Sequence, residues 1–140
     1  MVEGEAMKVI SVGEETYAIL APLGEIKDGS EWFGEPYQPL QVSLMKYPAG
    51  KEFRAHKHLI NPRIIKRTQE VFIVISGKIS IDIFDEDKTF LGMFEAGPGD
   101  AIMVYKGYHL VRVIEDAVAY EAKAGQYSGP ISEEKDFKDV

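Results

Sequence analysis

An all-β fold, a sandwich or a barrel, is predicted by three features of the sequence. About nine short apolar runs recur at roughly regular spacing, each bounded by glycine, proline or acidic turn residues. One of them, residues 79–83, sets Ile79, Ile81 and Ile83 between Ser80 and Asp82, the period-two pattern of a strand with one buried face. Helix signals are confined to the C-terminal tail.

Taken in order, residues 8–12 and 16–20 read as two strands of a hairpin around Gly13, Glu14 and Glu15. Residues 21–39 carry three glycines or prolines in each half and read as a loop, with Trp32, Phe33 and Tyr37 as packing anchors. A β-prone stretch over 40–47 ends at Pro48, Ala49 and Gly50. Residues 70–75 and 78–84 read as paired strands about a tight turn at Ser76 and Gly77. After the polar turn 85–88, a strand returns over 89–95, and the turn 97–100 leads into a strand over 101–105. Two more strands, 110–114 and 117–123, are separated by Glu115 and Asp116. The tail, 132–140, suits a short helix with Ser132 as its N-cap. Gly77, Gly99 and Gly107 are expected to adopt backbone angles that other residues avoid. No linker or repeat divides the chain, so residues 1–140 are expected to form a single domain.

Composition narrows the function. The 140 residues are 45% hydrophobic and 28% charged, as in an ordinary globular domain with its own core. With no cysteine there is no disulfide, thiolate metal site or cysteine nucleophile. The N-terminal stretch MVEGEAMKVI lacks the basic start and apolar core of a secretory signal, and the longest apolar run, VFIVI, is too short to span a bilayer. A cytoplasmic protein without membrane attachment is expected. The net charge of −7 speaks against nucleic-acid binding, which depends on cations neutralising phosphates. Against that background lies a basic island. Arg54, Lys57, Arg63, Lys66 and Arg67 fall within 54–67 without one acid, which leaves the remainder of the chain at −12. Such a run suits either a solvated face or the capture of a small anion.

The three histidines, His56, His58 and His109, carry the chemistry. His56 and His58 are two apart, so in an extended strand they share a face. Glu70 opens the next apolar run, and a charged carboxylate there needs either solvent or a partner. Three imidazoles and one carboxylate suit a single divalent transition metal, with iron, manganese, nickel, copper and zinc all compatible. A lone pair of histidines on a strand is more often packed or exposed than metal-binding. Only the company of Glu70 and His109 favours the metal.

The spacing resembles that of the cupins. Gly50, five residues, His56, Lys57 and His58 follow the first half of their first motif, and Glu70, six residues and Gly77 follow the second half. Gly99, Gly107 and His109 meet the second motif. The similarity covers roughly residues 40–124, preceded by N-terminal strands and followed by a short tail. It implies a double-stranded β-helix, or jelly-roll barrel, with one metal held by His56, His58, Glu70 and His109. Thr68-Gln69-Glu70-Val71, and Glu121-x-Lys123 followed by Gly125 and Tyr127, are also similar to small cupins found with sugar-biosynthesis enzymes. The chain departs from the pattern in several places. Eleven residues separate His58 from Glu70 where the family has three or four, Tyr105 stands at the usual proline, and Val113 at the asparagine.

The resemblance implies action on a small anionic keto acid, hydroxy acid or sugar derivative, by Lewis-acid or O₂ chemistry. The alternatives are a non-catalytic ligand-binding barrel and a sugar-nucleotide isomerase- or epimerase-like enzyme. Arg63, Arg67, Tyr105 and Lys123 are the expected substrate contacts, with the enlarged loop 59–69 as a rim or lid. A homodimer is expected, with an N-terminal strand crossing to the neighbour because strand edges need covering.

Overall fold

The computed structural model describes residues 7–24, 27–125 and 135–137. Its organising element is a long antiparallel ribbon made by β5 (Glu70–Phe84) and β8 (Tyr108–Lys123). On the other side of β5 the neighbour changes along its length: β7 (Ala101–Val104) pairs with residues 70–73, and β6 (Phe90–Ala96) pairs with residues 79–84. The sheet continues from β7 to β2 (Glu15–Ala21) and then to β1 (Lys8–Val12). A separate hairpin of β3 (Gly29–Phe33) and β4 (Val42–Lys46) completes the strands. All sheet pairings are antiparallel, and the described residues contain no helix. The result is an all-β, curled half-barrel. Among the described residues no helix is long and apolar enough to cross a membrane.

The pair Ser76 and Gly77 corrects the tight turn expected there. The chain does not reverse at these residues. It runs on as one bent strand, and the pairing with β8 shifts register around residues 74–79. Gly77 has φ of +76°, and a Cβ on it would lie 2.0 Å from the Asp116 carbonyl oxygen of β8. Only glycine fits this bulged corner, which bends both strands together. The bulge also resets which residues face inward. Phe72 and Val74 before the corner join Ile79, Ile81 and Ile83 after it in one core, a change from even to odd positions. Residues 110–114 and 117–123, expected as two strands, are likewise one strand passing the same corner at Glu115 and Asp116.

Two apolar layers cover the two faces of the central strands. On one face, Ala18, Leu20, Ile102 and Val104 pack with the β5 residues just named and with Phe94. On the other, Ile19, Ala21, Met103 and Tyr105 are covered by Phe33, Leu40 and Val42 from the β3–β4 hairpin. This alternation along β2 and β7 is the period-two rule with both faces buried. The face opposite Ile79 and Ile81 is correspondingly less wet than the sequence pattern implies, for Ser80 is buried as well. The loop expected over 21–39 contains β3. Of its three aromatic anchors Phe33 packs inward, while Trp32 and Tyr37 are exposed. β1, expected to cross to a neighbour, pairs along its length with β2 of its own chain. Gly77, Gly99 and Gly107 all have positive φ, as expected. The tail helix expected over 132–140 falls outside the described residues, except for 135–137, which are not helical.

Between β4 and β5 the chain leaves the body as an extended arm. Residues 51–68 have no regular structure and are exposed throughout. Its two ends are tied down. Tyr47 and Phe53 stack edge-on with centroids 4.9 Å apart, and Arg67 pairs with Glu86 at 2.6 Å. Just beyond, Gln69 is buried. Its amide donates to Gln38 and accepts from the Leu40 backbone, and its carbonyl accepts from Ala124.

Candidate functional site

The curl of the ribbon creates the site. Glu70 lies opposite Lys123 in the register, and His109 lies opposite Ile83, thirteen positions farther along β5. A straight ribbon would hold those places about 40 Å apart at ~3.3 Å per residue. The corner at Gly77 folds one end over the other, so that His109 Nε2 stands 2.9 Å from Glu70 Oε2. Cross-strand partners share a face. Glu121, paired with Phe72, therefore joins Glu70 and Lys123 on the inner face, together with His109 and Val111 from the far half.

These side chains line a cavity of about 510 Å³ whose walls include Phe72 and Phe84. The Phe72 ring lies tilted against His109, 6.2 Å between centroids. The Glu70 side chain is 14% exposed and that of His109 30%, so the pair is sheltered yet reachable. The carboxylates divide their roles. The hydrogen bond from His109 holds Glu70 below the usual carboxylate range, helped by the His109 charge, a bond from Glu121 and the charge of Lys123. Glu121 moves the opposite way, pushed up first by burial and then by the charge of Glu70 and the bond to it. Two carboxyl groups in contact do not both ionise easily, and of the two Glu121 gives up its proton at the higher pH. Glu70 Oε2 faces His109 Nε2, which fixes the plane of the imidazole ring. The site thus holds an oriented imidazole, two carboxyl groups of opposite tendency and the Lys123 side chain around one cavity.

Of the four proposed metal ligands, the structure brings Glu70 and His109 together. His56 and His58 stay on the exposed arm, with ring centroids 5.3 Å apart and His56 Nδ1 bonded to the Arg54 carbonyl at 2.9 Å. Among the described residues no three histidine, aspartate or glutamate side chains are grouped so as to hold a metal ion. The donor set implied by the spacing is therefore not assembled within one described chain. The facing atoms of Glu70 and His109 bond each other.

The expected substrate contacts divide similarly. Lys123 lines the cavity. Arg63 is exposed on the arm, and Arg67 is paired with Glu86. Tyr105 is buried in the second core layer, where its hydroxyl donates to Met103 Sδ at 3.6 Å. Burial pushes that phenol up to about 12, with the Glu35 charge adding to the effect. Arg67 and Tyr105 border a second, open cavity of about 650 Å³ with Lys66, Lys106 and Glu86. Glu121 was not among the residues expected at the site, yet it lines the cavity beside Lys123 while remaining exposed as a residue. The signal for it was present: two charged residues two apart on a strand, sharing a face with the Glu70 partner position. Comparison with protein-family models, curated proteins and solved structures finds no match to this chain.

Proposed function

We propose that this protein binds a small oxygen-rich molecule, a keto or hydroxy acid or a sugar derivative, in the ribbon cavity and moves a proton on it. The observation that carries this reading is the His109–Glu70 pair at 2.9 Å in the cavity, with Glu121 sharing the same carboxylate. A carboxylate bonded to one imidazole nitrogen fixes the tautomer and ring plane, which suits the other nitrogen to general-base work.

The chemistry that follows is isomerisation or epimerisation next to a carbonyl. His109 takes the proton from the carbon beside the carbonyl, and the electron pair moves onto the carbonyl oxygen. That oxygen receives the proton held by Glu121, while the Lys123 charge favours the developing negative oxygen. In isomerisation His109 returns its proton to the former carbonyl carbon, while the enediol hydroxyl on the neighbouring carbon becomes the new carbonyl and passes its proton to Glu121. In epimerisation the enol turns its other face to His109, takes the proton back on the same carbon, and its hydroxyl proton returns to Glu121. The apolar walls, Phe72 and Phe84, limit water around the pair. In this reading the curled sheet is one side of a cupin-type jelly roll in a cytoplasmic protein. A metal-dependent version, by Lewis-acid or O₂ chemistry, would need the arm to carry His56 and His58 to the pair.

The test is solvent exchange. A panel of keto acids, hydroxy acids and sugar derivatives in D₂O, followed by NMR, should reveal a member whose proton beside the carbonyl is replaced by deuterium. H109Q should abolish the exchange, and E121Q should slow it while leaving binding intact. Exchange that survives H109Q at full rate would overturn the assignment, as would a panel with neither binding nor exchange.

A further inference from the structure

Two surfaces of the chain are uncovered in ways that match each other. The first is β8. It pairs with β5 along one edge, and among the described residues no strand pairs with its other edge. A 16-residue strand therefore presents a row of unpaired backbone donors and acceptors. The side chains beside that row are apolar and exposed, Val113 at 66%, Val118 at 61% and Tyr120 at 70%. Long edges with such side chains are templates for strand addition, and no proline interrupts this one.

The second is the arm. Leu59, Ile60 and Ile64 are 81%, 97% and 89% exposed, and Phe53 is more than half exposed. From Phe53 to Leu59 the sequence alternates only in part, with Phe53, Ala55, Lys57 and Leu59 on one parity and Arg54, His56 and His58 on the other. The chain is extended here, and among the described residues it pairs with no strand. Among the described residues, the middle of the arm has only local contacts, His56 with the Arg54 carbonyl and with the His58 ring. The anchored ends leave residues 54–66 free to reach roughly 20 Å from the body at about 3.3 Å per residue.

We infer that the arm of one copy adds as a strand to the free edge of β8 in a second copy, giving a reciprocal, strand-exchanged dimer. A second copy fits because the same chain carries both the uncovered donor and the uncovered acceptor, and two-fold exchange satisfies both at once without open ends. Charge points the same way. The arm has five cations and no acid over 54–67, while the rest of the chain carries −12, and β8 carries Glu115, Asp116 and Glu121 against Arg112 and Lys123. Strand addition supplies backbone hydrogen bonds along the edge, and the consecutive exposed side chains Leu59 and Ile60 meet the apolar side chains on the two faces of β8. The inference stands independently of the chemistry proposed for the cavity.

Light scattering on the purified full chain should give twice the 15.7 kDa chain mass. The double variant L59D/I60D, changed only at exposed positions, should be a folded monomer by the same measurement and by circular dichroism. Because the chain has no cysteine, exchange can also be read directly. A55C in one preparation is refolded together with V113C, V118C or Y120C in another. Oxidation should produce a disulfide between the two different variants. Three results would overturn the inference: a monomeric native chain at tens of micromolar, a dimer that survives L59D/I60D, or a disulfide that forms only inside one chain when both cysteines are placed on it. The second of these would move the interface to another edge, and the third would mean that the arm covers its own β8.

Discussion

Replacing Gly77 with alanine tests the corner on which the fold and the candidate site both depend. Three glycines provide a graded series. At Gly97 the backbone is ordinary and a Cβ would meet nothing within 4 Å, so G97A should stay within ~0.5 kcal/mol of the parent. At Gly13 the space is equally open but φ is +58°, so G13A should cost about 1 kcal/mol from backbone strain alone. At Gly77 the strain at φ +76° recurs, and the new Cβ would sit 2.0 Å from the Asp116 carbonyl oxygen and 2.7 Å from the Ala117 Cα. Those atoms are backbone of the partner strand, so relief requires β8 to move. Forced overpacking adds roughly 1–3 kcal/mol, for a total of about 2–5 kcal/mol. For a chain of this length that lowers the thermal midpoint by roughly 6–20 °C. Urea unfolding and calorimetry on the three variants give the comparison. The cavity adds a second readout, because a β8 displaced at the corner carries His109 away from Glu70. Ligand-dependent exchange should therefore fall in G77A even at temperatures where it remains folded. A G77A variant no less stable than G13A, with exchange intact, would show that the corner tolerates a side chain and that the convergence of Glu70 and His109 has another cause.

The shared proton gives a pH prediction. The folded pKa of Glu121 is raised, so its contribution to stability is full below the unfolded carboxyl value and is lost as pH rises through the folded value. E121Q should remove that fall in the urea midpoint as pH rises above the ordinary carboxyl range, and a slope unchanged in E121Q would refute the shared proton. For Glu70 the sign is reversed: its pKa is lowered, so its contribution is present above the unfolded value and fades as pH falls through the folded one. E70Q should also let the Glu121 carboxyl titrate closer to its ordinary range by NMR, since two of the causes raising it disappear. Tyr105 should ionise only near pH 12, with stability lost as pH climbs from 10 toward that value, and Y105F should remove one late step from the phenolate absorbance titration. Arg112, half-exposed, pairs with Asp82, whose side chain is mostly buried, so R112A should cost about 1 kcal/mol or less, with salt reducing the difference.

What was legible in the sequence was local. The apolar runs and the turn residues placed β1, β2, β6 and β7 to within a residue or two, because each is a short strand ended by its own glycine, proline or acidic turn. Turn chemistry was also readable where side chains make it. Asp100, for example, accepts from the backbone amides of Leu23 and Gly97, and Asp85 from those of Asp87 and Thr89. The failures share one cause, which is that a glycine in a bulge and a glycine in a reversing turn look alike along the chain. Ser76-Gly77 has the composition of either, and what decides between them is whether the partner strand continues past it, a fact carried by residues 108–123 and not by the dipeptide itself. The same non-local fact settles the site. Glu70 and His109 become neighbours only because both strands turn the corner together, so their chemistry could be suspected from residue type but their contact could not. Glu121 shows the converse. Its strand parity was visible, but whether that face looked into a cavity or into water depended on a curl whose cause lies at Gly77 on β5 and at Ala117, four residues back along β8. The arm carries this one step further. Its apolar side chains stand exposed, and among the described residues no strand pairs with it. An extended segment with an unpaired backbone, in a chain whose β8 edge is also unpaired among the described residues, points to a partner outside the single chain.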